Sequence, residues 1–192
     1  MTPRLDAALV VLAGGRSSRM GRPKHELVVG RVTLLEWLVA RLAPSFAETI
    51  VVGAPAPRGA RSVADRRENA GPVAGIEAGL LAASWDRAFV LACDSPRVSA
   101  RLASLLLERC ADHDAAVPRI LGRAQPTVAA YARRAAPKIS AYLDTGRRRA
   151  TEMLGALEVV YLDLPASGVA ASELDDLDTP DDYETFLAEM RT

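Results

Sequence analysis

The chain has 192 residues, and 49% of them are hydrophobic, which is enough to bury one substantial core. Basic and acidic residues number 24 each, a balance that argues against a broad basic surface for nucleic acid or an anionic membrane. The two cysteines, Cys93 and Cys110, are too few for a disulfide framework and lack the spacing of a zinc site. The first apolar run is too short for a signal peptide or a membrane span, so we predict a cytoplasmic protein.

The first predicted unit is strand, loop, helix and strand. The apolar run at residues 7–13 predicts a buried strand that ends at a pair of glycines. Leucines at helical spacing follow, with Thr33 as the N-cap and Pro44 closing the helix. Residues 49–52 predict the second strand.

The alternation of helices and strands continues, although the second half of the chain is less regular. The further predicted helices lie near residues 73–83, 99–110, 138–143, 149–157 and 180–190, and the strands near 88–92, 115–118, 127–131 and 159–164. This pattern predicts an α/β fold, with residues 1–192 as a single three-layer domain around a mostly parallel, Rossmann-like sheet. Such sheets bind ligands beyond the carboxyl ends of their strands.

A glycine-rich segment with several basic side chains follows the first strand. Adjacent glycines allow backbone amides to approach an anion, and Arg19 and Lys24 would neutralise the charge of a polyphosphate. The spacing fits neither a P-loop nor a dinucleotide-binding fingerprint. By composition alone, a solvated basic loop accounts for the segment equally well.

This segment resembles the signature of the molybdenum cofactor guanylyltransferases, which belong to a wider group of nucleotidyltransferases. It reads LAGGRSSRMGRPK from residue 12 to residue 24, against LAGGxSxRMGxxK in that family. The resemblance implies a fold of the nucleotidyltransferase type, with Arg19 and Lys24 as catalytic contacts to the triphosphate. It also implies that the nucleobase and ribose lie against the backbone of Leu12, Ala13, Gly14 and Gly15.

Asp94 stands directly after a predicted strand. A carboxylate there suits a hard divalent cation, because Mg²⁺ takes one or two protein carboxylates and completes its shell with phosphates and waters. An Asx-turn before Pro96 explains the same residue without a metal. The family has Cys-Asp-Thr-Pro or similar at this point, so the resemblance implies that Asp94 is a catalytic ligand of Mg²⁺, with Ser95 in place of Thr.

The turn at Gly71 and Pro72 leads into a predicted helix whose first amide groups have no partner within the helix. A plain surface loop before a helix gives the same pattern. The guanylyltransferases have an Asp a few residues before Gly-Pro-Leu-Ala-Gly, and both line the nucleotide site. The resemblance therefore implies nucleotide contacts from Asp65, Gly71, Pro72 and Gly75.

Six acidic residues lie between Glu173 and Asp182, and such runs are usually solvated surface. The stretch DLDTPDD from residue 176 resembles Asn-x-Asn-Thr-Pro-Glu-Asp of the guanylyltransferases, with Asp in place of Asn twice. Acids at these positions are more similar to the related cytidylyltransferases. We expect a second metal contact from Asp178, with Asp176 as the alternative that spacing does not separate.

Two further stretches carry the resemblance, and one position departs from it. Residues 125–127 and 143–148 resemble guanylyltransferase motifs, and the arginines at 147–149 suit either an anionic acceptor or an exposed helix start. Gly53 stands where the family commonly has a nucleotide-contacting Asn, which weakens any assignment of the base.

Taken as a whole, the resemblance implies that a phosphate of molybdopterin attacks the α-phosphate of GTP, with Mg²⁺ as cofactor and pyrophosphate leaving. A cytidylyltransferase, or a transferase for another phosphorylated acceptor, is the alternative within this class. A nucleotide-binding module without turnover is the alternative outside it. We expect no nucleic acid and no membrane as partner, and leave open whether another protein delivers the pterin.

Overall fold

The computed structural model describes residues 4–14, 22–65, 67, 70–166 and 168–191. The strands are β1 (Leu5–Leu12), β2 (Val28–Val29), β3 (Val32–Thr33), β4 (Phe46–Val52), β5 (Arg61–Val63), β6 (Arg87–Ala92), β7 (Ala115–Ile120), β8 (Arg123–Ala124), β9 (Val128–Ala132) and β10 (Val159–Asp163). The helices are α1 (Leu34–Leu42), α2 (Gly71–Ala82), α3 (Ala100–Arg109), α4 (Ala136–Asp144), α5 (Ala150–Met153) and α6 (Pro180–Glu189). Within the described ranges, no helix combines the length and the apolar character that crossing a bilayer requires.

One large sheet organises these elements, in the strand order β10-β7-β9-β6-β1-β4-β5, with β8 paired to β7. The central strand β1 runs parallel to both of its neighbours, β4 and β6. β9 runs antiparallel to both β6 and β7. The predicted α/β fold with a mostly parallel sheet is confirmed.

Helices cover both faces of the sheet, which gives the three predicted layers. Along β1, Leu9 and Val11 face the apolar cluster that includes residues of α1, α3 and α6. The intervening Val10 faces the opposite cluster, which includes residues of α2 and α4. Because side chains alternate along a strand, a strand covered on both sides must be apolar throughout, and this is why residues 7–13 form an unbroken hydrophobic run.

Helix α2 packs unusually close to β1. A Cβ on Gly79 would lie 2.3 Å from Val10 Cγ1, and one on Gly75 would lie 3.0 Å from Leu12 Cδ2. Glycines four residues apart share one face of a helix, so this face has no side chain to hold the two backbones apart. The first turn of α2 is thereby held beside the carboxyl end of β1.

Local capping signals predicted the starts of α1, α3 and α6 correctly. Thr33 forms a capping box with Glu36, and Thr179 forms one with Asp182. Ser99 accepts a hydrogen bond from Leu102 N at the start of α3.

The differences from the sequence-based elements lie in short strands and in one short helix. The short strands β2, β3, β5 and β8 were not expected, because two or three residues carry no readable period. The helix expected near residues 149–157 ends as α5 at Met153 and continues as a 3-10 turn over Leu154–Ala156.

Candidate active site

A cleft of about 740 Å³ opens beyond the carboxyl ends of β1, β4 and β6. Its walls bring together segments that are far apart in the chain, as expected for this edge of an α/β sheet. The predicted site residues that line it are Leu12, Ala13, Gly14, Lys24, Asp65, Gly71, Pro72, Gly75 and Asp94. Two further predicted residues, Gly15 and Arg19, lie outside the described residues.

Backbone hydrogen bonds extend past the strand ends and align the floor of the cleft. Ala13 N donates to Val52 O at 2.9 Å, and Cys93 N donates to Leu12 O at 3.0 Å. The three central strands therefore end at one level, where their following loops face the same space.

Gly53 and Gly14 touch through their backbones at the edge of this floor. Gly53 has a φ of 85°, and a Cβ added to it would lie 2.7 Å from Gly14 Cα. A side chain at position 53 would therefore push the start of the glycine-rich segment away. In this structure the close contact and the positive φ therefore favour glycine at position 53.

Lys24 joins two carboxylates at the mouth of the cleft. Its Nζ lies 2.8 Å from Asp94 Oδ2 and 2.8 Å from Asp178 Oδ1. Burial alone lowers the pKa of Lys24, but the hydrogen bonds to Asp178 and Asp94 outweigh it and raise the pKa above its ordinary value. One firmly protonated ammonium thus occupies the point on which both carboxylates converge.

Asp176 and Asp178 have different hydrogen-bond partners. Ser95 is fully buried, and its Oγ donates a hydrogen bond of 2.5 Å to Asp176 Oδ1. Burial raises the pKa of Asp176 to about 6, although the hydrogen bond from Ser95 favours its charged form. Asp176 is therefore turned towards Ser95, while Asp178 is turned towards Lys24.

The same two segments are also joined through their backbones, because Leu177 N donates to Asp94 O at 2.8 Å. Ser95 and this backbone bond fix the acidic segment against the loop after β6. Sequence reasoning missed this role of Ser95. The Cys-Asp-Ser-Pro order carries no sign of a partner 81 residues away.

Another wall of the cleft is formed by Asp65 and the start of α2. Asp65 Oδ1 accepts a hydrogen bond of 3.2 Å from Arg67 N, which is the Asx-type turn that favours Asp in loops. Gly71 has a φ of 69°, a left-handed conformation that suits glycine at this sharp entry into a helix. Both Asp65 and Gly71 line the cleft.

The arginines at 147–149 have local partners. Arg148 Nη1 donates to Leu143 O at 3.0 Å near the end of α4, and the guanidinium of Arg147 lies over the ring of Tyr142. Arg149 is largely exposed and pairs with Glu152 at 3.4 Å. The described lining of the cleft does not include these arginines. The interpretation as a basic, partly exposed helix start therefore fits the structure.

The carboxylates of Asp94 and Asp178 have the donor chemistry of a magnesium site. They supply hard oxygen donors that already converge on one cationic group, the ammonium of Lys24. Across the described residues, no cluster of three or more His, Cys, Asp or Glu side chains is arranged to hold a metal ion. Two carboxylates suit Mg²⁺ only where phosphates and waters complete its coordination shell.

Residues 9–160 match the family model of the MobA-like NTP transferase domain. A protein of Pelotomaculum thermopropionicum named "Probable molybdenum cofactor guanylyltransferase" is 38% identical over 133 residues, which cover 67% of this chain and 65% of that protein. A protein of the same name from Carboxydothermus hydrogenoformans is 29% identical over 185 residues, covering 93% of this chain and 94% of that protein. The crystal structure of molybdopterin-guanine dinucleotide biosynthesis protein A from Archaeoglobus fulgidus has a TM-score of 0.82 and 25% identity, covering 96% of this chain and 98% of that chain.

Proposed function

Since this chain belongs to the family of MobA-like NTP transferase domains and is a nucleotidyltransferase, we propose that it transfers GMP from GTP to the phosphate of molybdopterin. Mg²⁺ would be the cofactor, and pyrophosphate the second product. The observation that carries this proposal is that Lys24 and Asp94, which line the cleft together with Gly14, meet Asp178 through the ammonium of Lys24.

The transfer is a direct displacement at phosphorus. An oxygen of the acceptor phosphate forms a bond to the α-phosphorus, and the bond from the α-phosphorus to the bridging oxygen of the β-phosphate breaks. Pyrophosphate leaves with that electron pair, so no protein nucleophile is required. Cys93 lines the cleft, but burial raises the pKa of its thiol to about 12 and keeps it protonated and inert.

Lys24 would stabilise the charge that develops on the leaving pyrophosphate. In the structure its ammonium neutralises part of the charge on Asp94 and Asp178. A triphosphate is a stronger partner for this flexible side chain, and Lys24 would turn from the carboxylates to the phosphates when the nucleotide binds. The two carboxylates would then be free to hold Mg²⁺, which supplies Lewis-acid polarisation and charge neutralisation at the phosphates.

Arg19 belongs to the same proposal as a second cationic contact to the triphosphate, on the strength of the sequence resemblance alone. The nucleoside would lie deeper in the cleft, against the backbone of Leu12 to Gly14 and the wall that contains Asp65 and Gly71. Ala13 N and Leu12 O already bond Val52 O and Cys93 N, and the remaining backbone groups there would present donors and acceptors to a nucleobase at fixed positions.

CTP is the second candidate nucleotide, and two observations favour it. Acidic residues stand at both positions 176 and 178, where guanylyltransferases have Asn. Position 53 has no room for the Asn side chain that guanylyltransferases commonly have there. The names of the relatives favour GTP. A site built to pair with guanine would leave buried polar groups unpaired with cytosine, at roughly 1–3 kcal/mol each.

A panel of GTP, CTP, ATP and UTP tests the proposal, with pyrophosphate release measured in the presence of Mg²⁺ and molybdopterin. We expect release with GTP, dependent on the acceptor, and a kcat/KM for GTP well above that for CTP. A kcat/KM for CTP equal to or above that for GTP would overturn the guanine assignment. Absence of pyrophosphate release with all four nucleotides, while nucleotide binding is retained, would instead indicate a binding module.

A further inference from the structure

Glu77 is a buried carboxylate that the proposed chemistry does not use. It lies in the middle of α2 and is 3% exposed. Its Oε1 accepts a hydrogen bond of 2.5 Å from Ser140 Oγ on α4. A buried carboxylate is costly unless its charge is compensated, so its partners must account for its presence.

The compensating charge comes from Arg67, through a two-pronged contact. Arg67 Nε donates to Glu77 Oε2 at 3.1 Å, and Nη2 donates to Oε1 at 3.2 Å. The remaining Nη1 donates to Asp144 Oδ1 at 2.7 Å, at the end of α4. One planar guanidinium therefore joins α2 and α4, which is a geometry that lysine cannot reproduce.

Arg67 belongs to the segment that forms the Asp65 wall of the cleft. Its own backbone N donates to Asp65 Oδ1 at 3.2 Å, so the orientation of the Asp65 carboxylate depends on where Arg67 is held. Asp65 lines the cleft, whereas Glu77 does not belong to its described lining. Arg67 thus links Asp65, through its backbone N–H, to α2 and α4, through its guanidinium.

The part of the cleft beside Lys24, which is proposed to hold the phosphates, is formed by other parts of the chain. Lys24, Asp94 and Asp178 are joined to one another, and Asp94 is fixed through Leu177. No hydrogen bond described for these residues involves Arg67 or Glu77. Loss of the Arg67 contact should therefore alter the part of the cleft beside Asp65, where the nucleoside would bind. It should leave the part beside Lys24, where the phosphates would bind, unchanged.

We propose that Arg67 and Glu77 are positioning residues that hold Asp65 in place for recognition of the nucleobase. This inference rests on the proposed function, because it takes the cleft to be a nucleotide site. It assigns the buried ion pair a role in nucleotide selection and none in the transfer step itself.

Arg67→Lys and Glu77→Gln test the inference. Arg67→Lys keeps the positive charge but loses the two-pronged contact, and Glu77→Gln keeps the shape of the side chain but loses its negative charge. Binding of GTP, CTP and inorganic tripolyphosphate is measured by calorimetry with Mg²⁺ present. We expect about tenfold weaker binding of the preferred nucleotide and a smaller ratio between GTP and CTP affinities. Tripolyphosphate affinity and kcat at saturating nucleotide should stay within about twofold of the unchanged protein.

Arg119→Gln is the matched control. Arg119 makes a two-pronged pair with Asp163, at 2.9 Å for both contacts, and neither residue belongs to the described lining of the cleft. It should leave the affinities for all three ligands unchanged. Thermal unfolding of every variant shows whether a loss of binding follows a loss of folded protein, and Arg67→Lys serves as the milder variant if Glu77→Gln unfolds.

The outcomes separate this inference from the proposed function. Equal weakening of nucleotide and tripolyphosphate binding, or unchanged nucleotide selection in folded Arg67→Lys protein, would overturn the positioning role alone. If the unchanged protein binds neither GTP nor CTP, the proposed function fails and the inference fails with it.

Discussion

Lys24 Nζ lies 2.8 Å from Asp94 Oδ2, although 70 residues separate the two in the chain. Lys24 is the last residue of the glycine-rich segment, and Asp94 follows the strand β6. Asp178 shares the same ammonium, so two negative charges face one positive charge at the mouth of the cleft. The trio therefore carries a net negative charge when both carboxylates are ionised.

Asp94→Asn should reduce turnover by roughly a hundredfold or more, because loss of a metal-binding carboxylate removes several kcal/mol of transition-state stabilisation. The free energy of unfolding should change by no more than about 1 kcal/mol, since the Asp94 side chain is partly exposed. The measurement is kcat for pyrophosphate release in saturating Mg²⁺, with urea unfolding alongside. Turnover close to that of the unchanged protein would contradict a metal-binding role.

Lys24→Met should have opposite effects on metal and on nucleotide. Without its ammonium, Asp94 and Asp178 repel each other, and we expect tighter binding of Mn²⁺ in the absence of nucleotide, measured by electron paramagnetic resonance. The affinity for the triphosphate should fall, because a cationic contact is lost.

The control for Lys24 is Lys138→Met, which removes an ammonium that lies 2.6 Å from Asp114 Oδ2, outside the described lining of the cleft. This variant should change neither Mn²⁺ nor nucleotide affinity. Unchanged or weaker Mn²⁺ binding by Lys24→Met would show that Lys24 does not compete for the carboxylates.

Gly53→Ala should weaken nucleotide binding, and Gly59→Ala should not. Both glycines have a positive φ, 85° and 90°, so alanine costs about 1 kcal/mol of backbone strain at either position. Only at Gly53 does the added Cβ meet another segment, the backbone of Gly14, while Gly59 has nothing within 4 Å. Comparing the KM for the nucleotide between the two variants separates the effect of the contact with Gly14 from the effect of backbone strain, which both variants share. Equal KM values would mean that the Gly14–Gly53 contact does not shape the site.

Asp114→Asn should destabilise the protein by about 1–3 kcal/mol near neutral pH, because Asp114 is buried and its carboxylate accepts hydrogen bonds from Lys138 Nζ and Glu158 N. Burial raises the pKa of Asp114, but the hydrogen bonds from Glu158 and Lys138 outweigh it and hold the pKa below its ordinary value of 3.8. A lowered pKa in the folded state contributes stability that is present above the unfolded-state pKa and is lost as the pH falls through the folded-state pKa. The difference in free energy of unfolding between the two proteins should therefore shrink below about pH 4. Urea unfolding at a series of pH values measures it, and a constant difference down to about pH 3 would contradict this assignment.

The sequence by itself determined the elements whose signals are local. The apolar run of β1 is visible in consecutive residues of the sequence. The start of α6 depends on the exchange of hydrogen bonds between Thr179 and Asp182. Such patterns can be read without knowledge of the rest of the chain, because the interacting groups lie within a few residues of one another. The glycine-rich segment, Asp94 and the turn at Gly71 stand next to such elements in the sequence, and the resemblance to the guanylyltransferases implies their roles.

Only the tertiary structure decided which of these motifs meet. Lys24 and Asp178 are 154 residues apart, and the packing of the acidic segment against the loop after β6 helps to bring them to a distance of 2.8 Å. The different partners of Asp176 and Asp178 depend on the buried hydroxyl of Ser95 and on the ammonium of Lys24. The room at position 53 depends on the backbone of Gly14. The antiparallel direction of β9 likewise has no local signal. These features depend on packing between distant segments, and neither the spacing nor the composition of one segment records which other segment will lie against it.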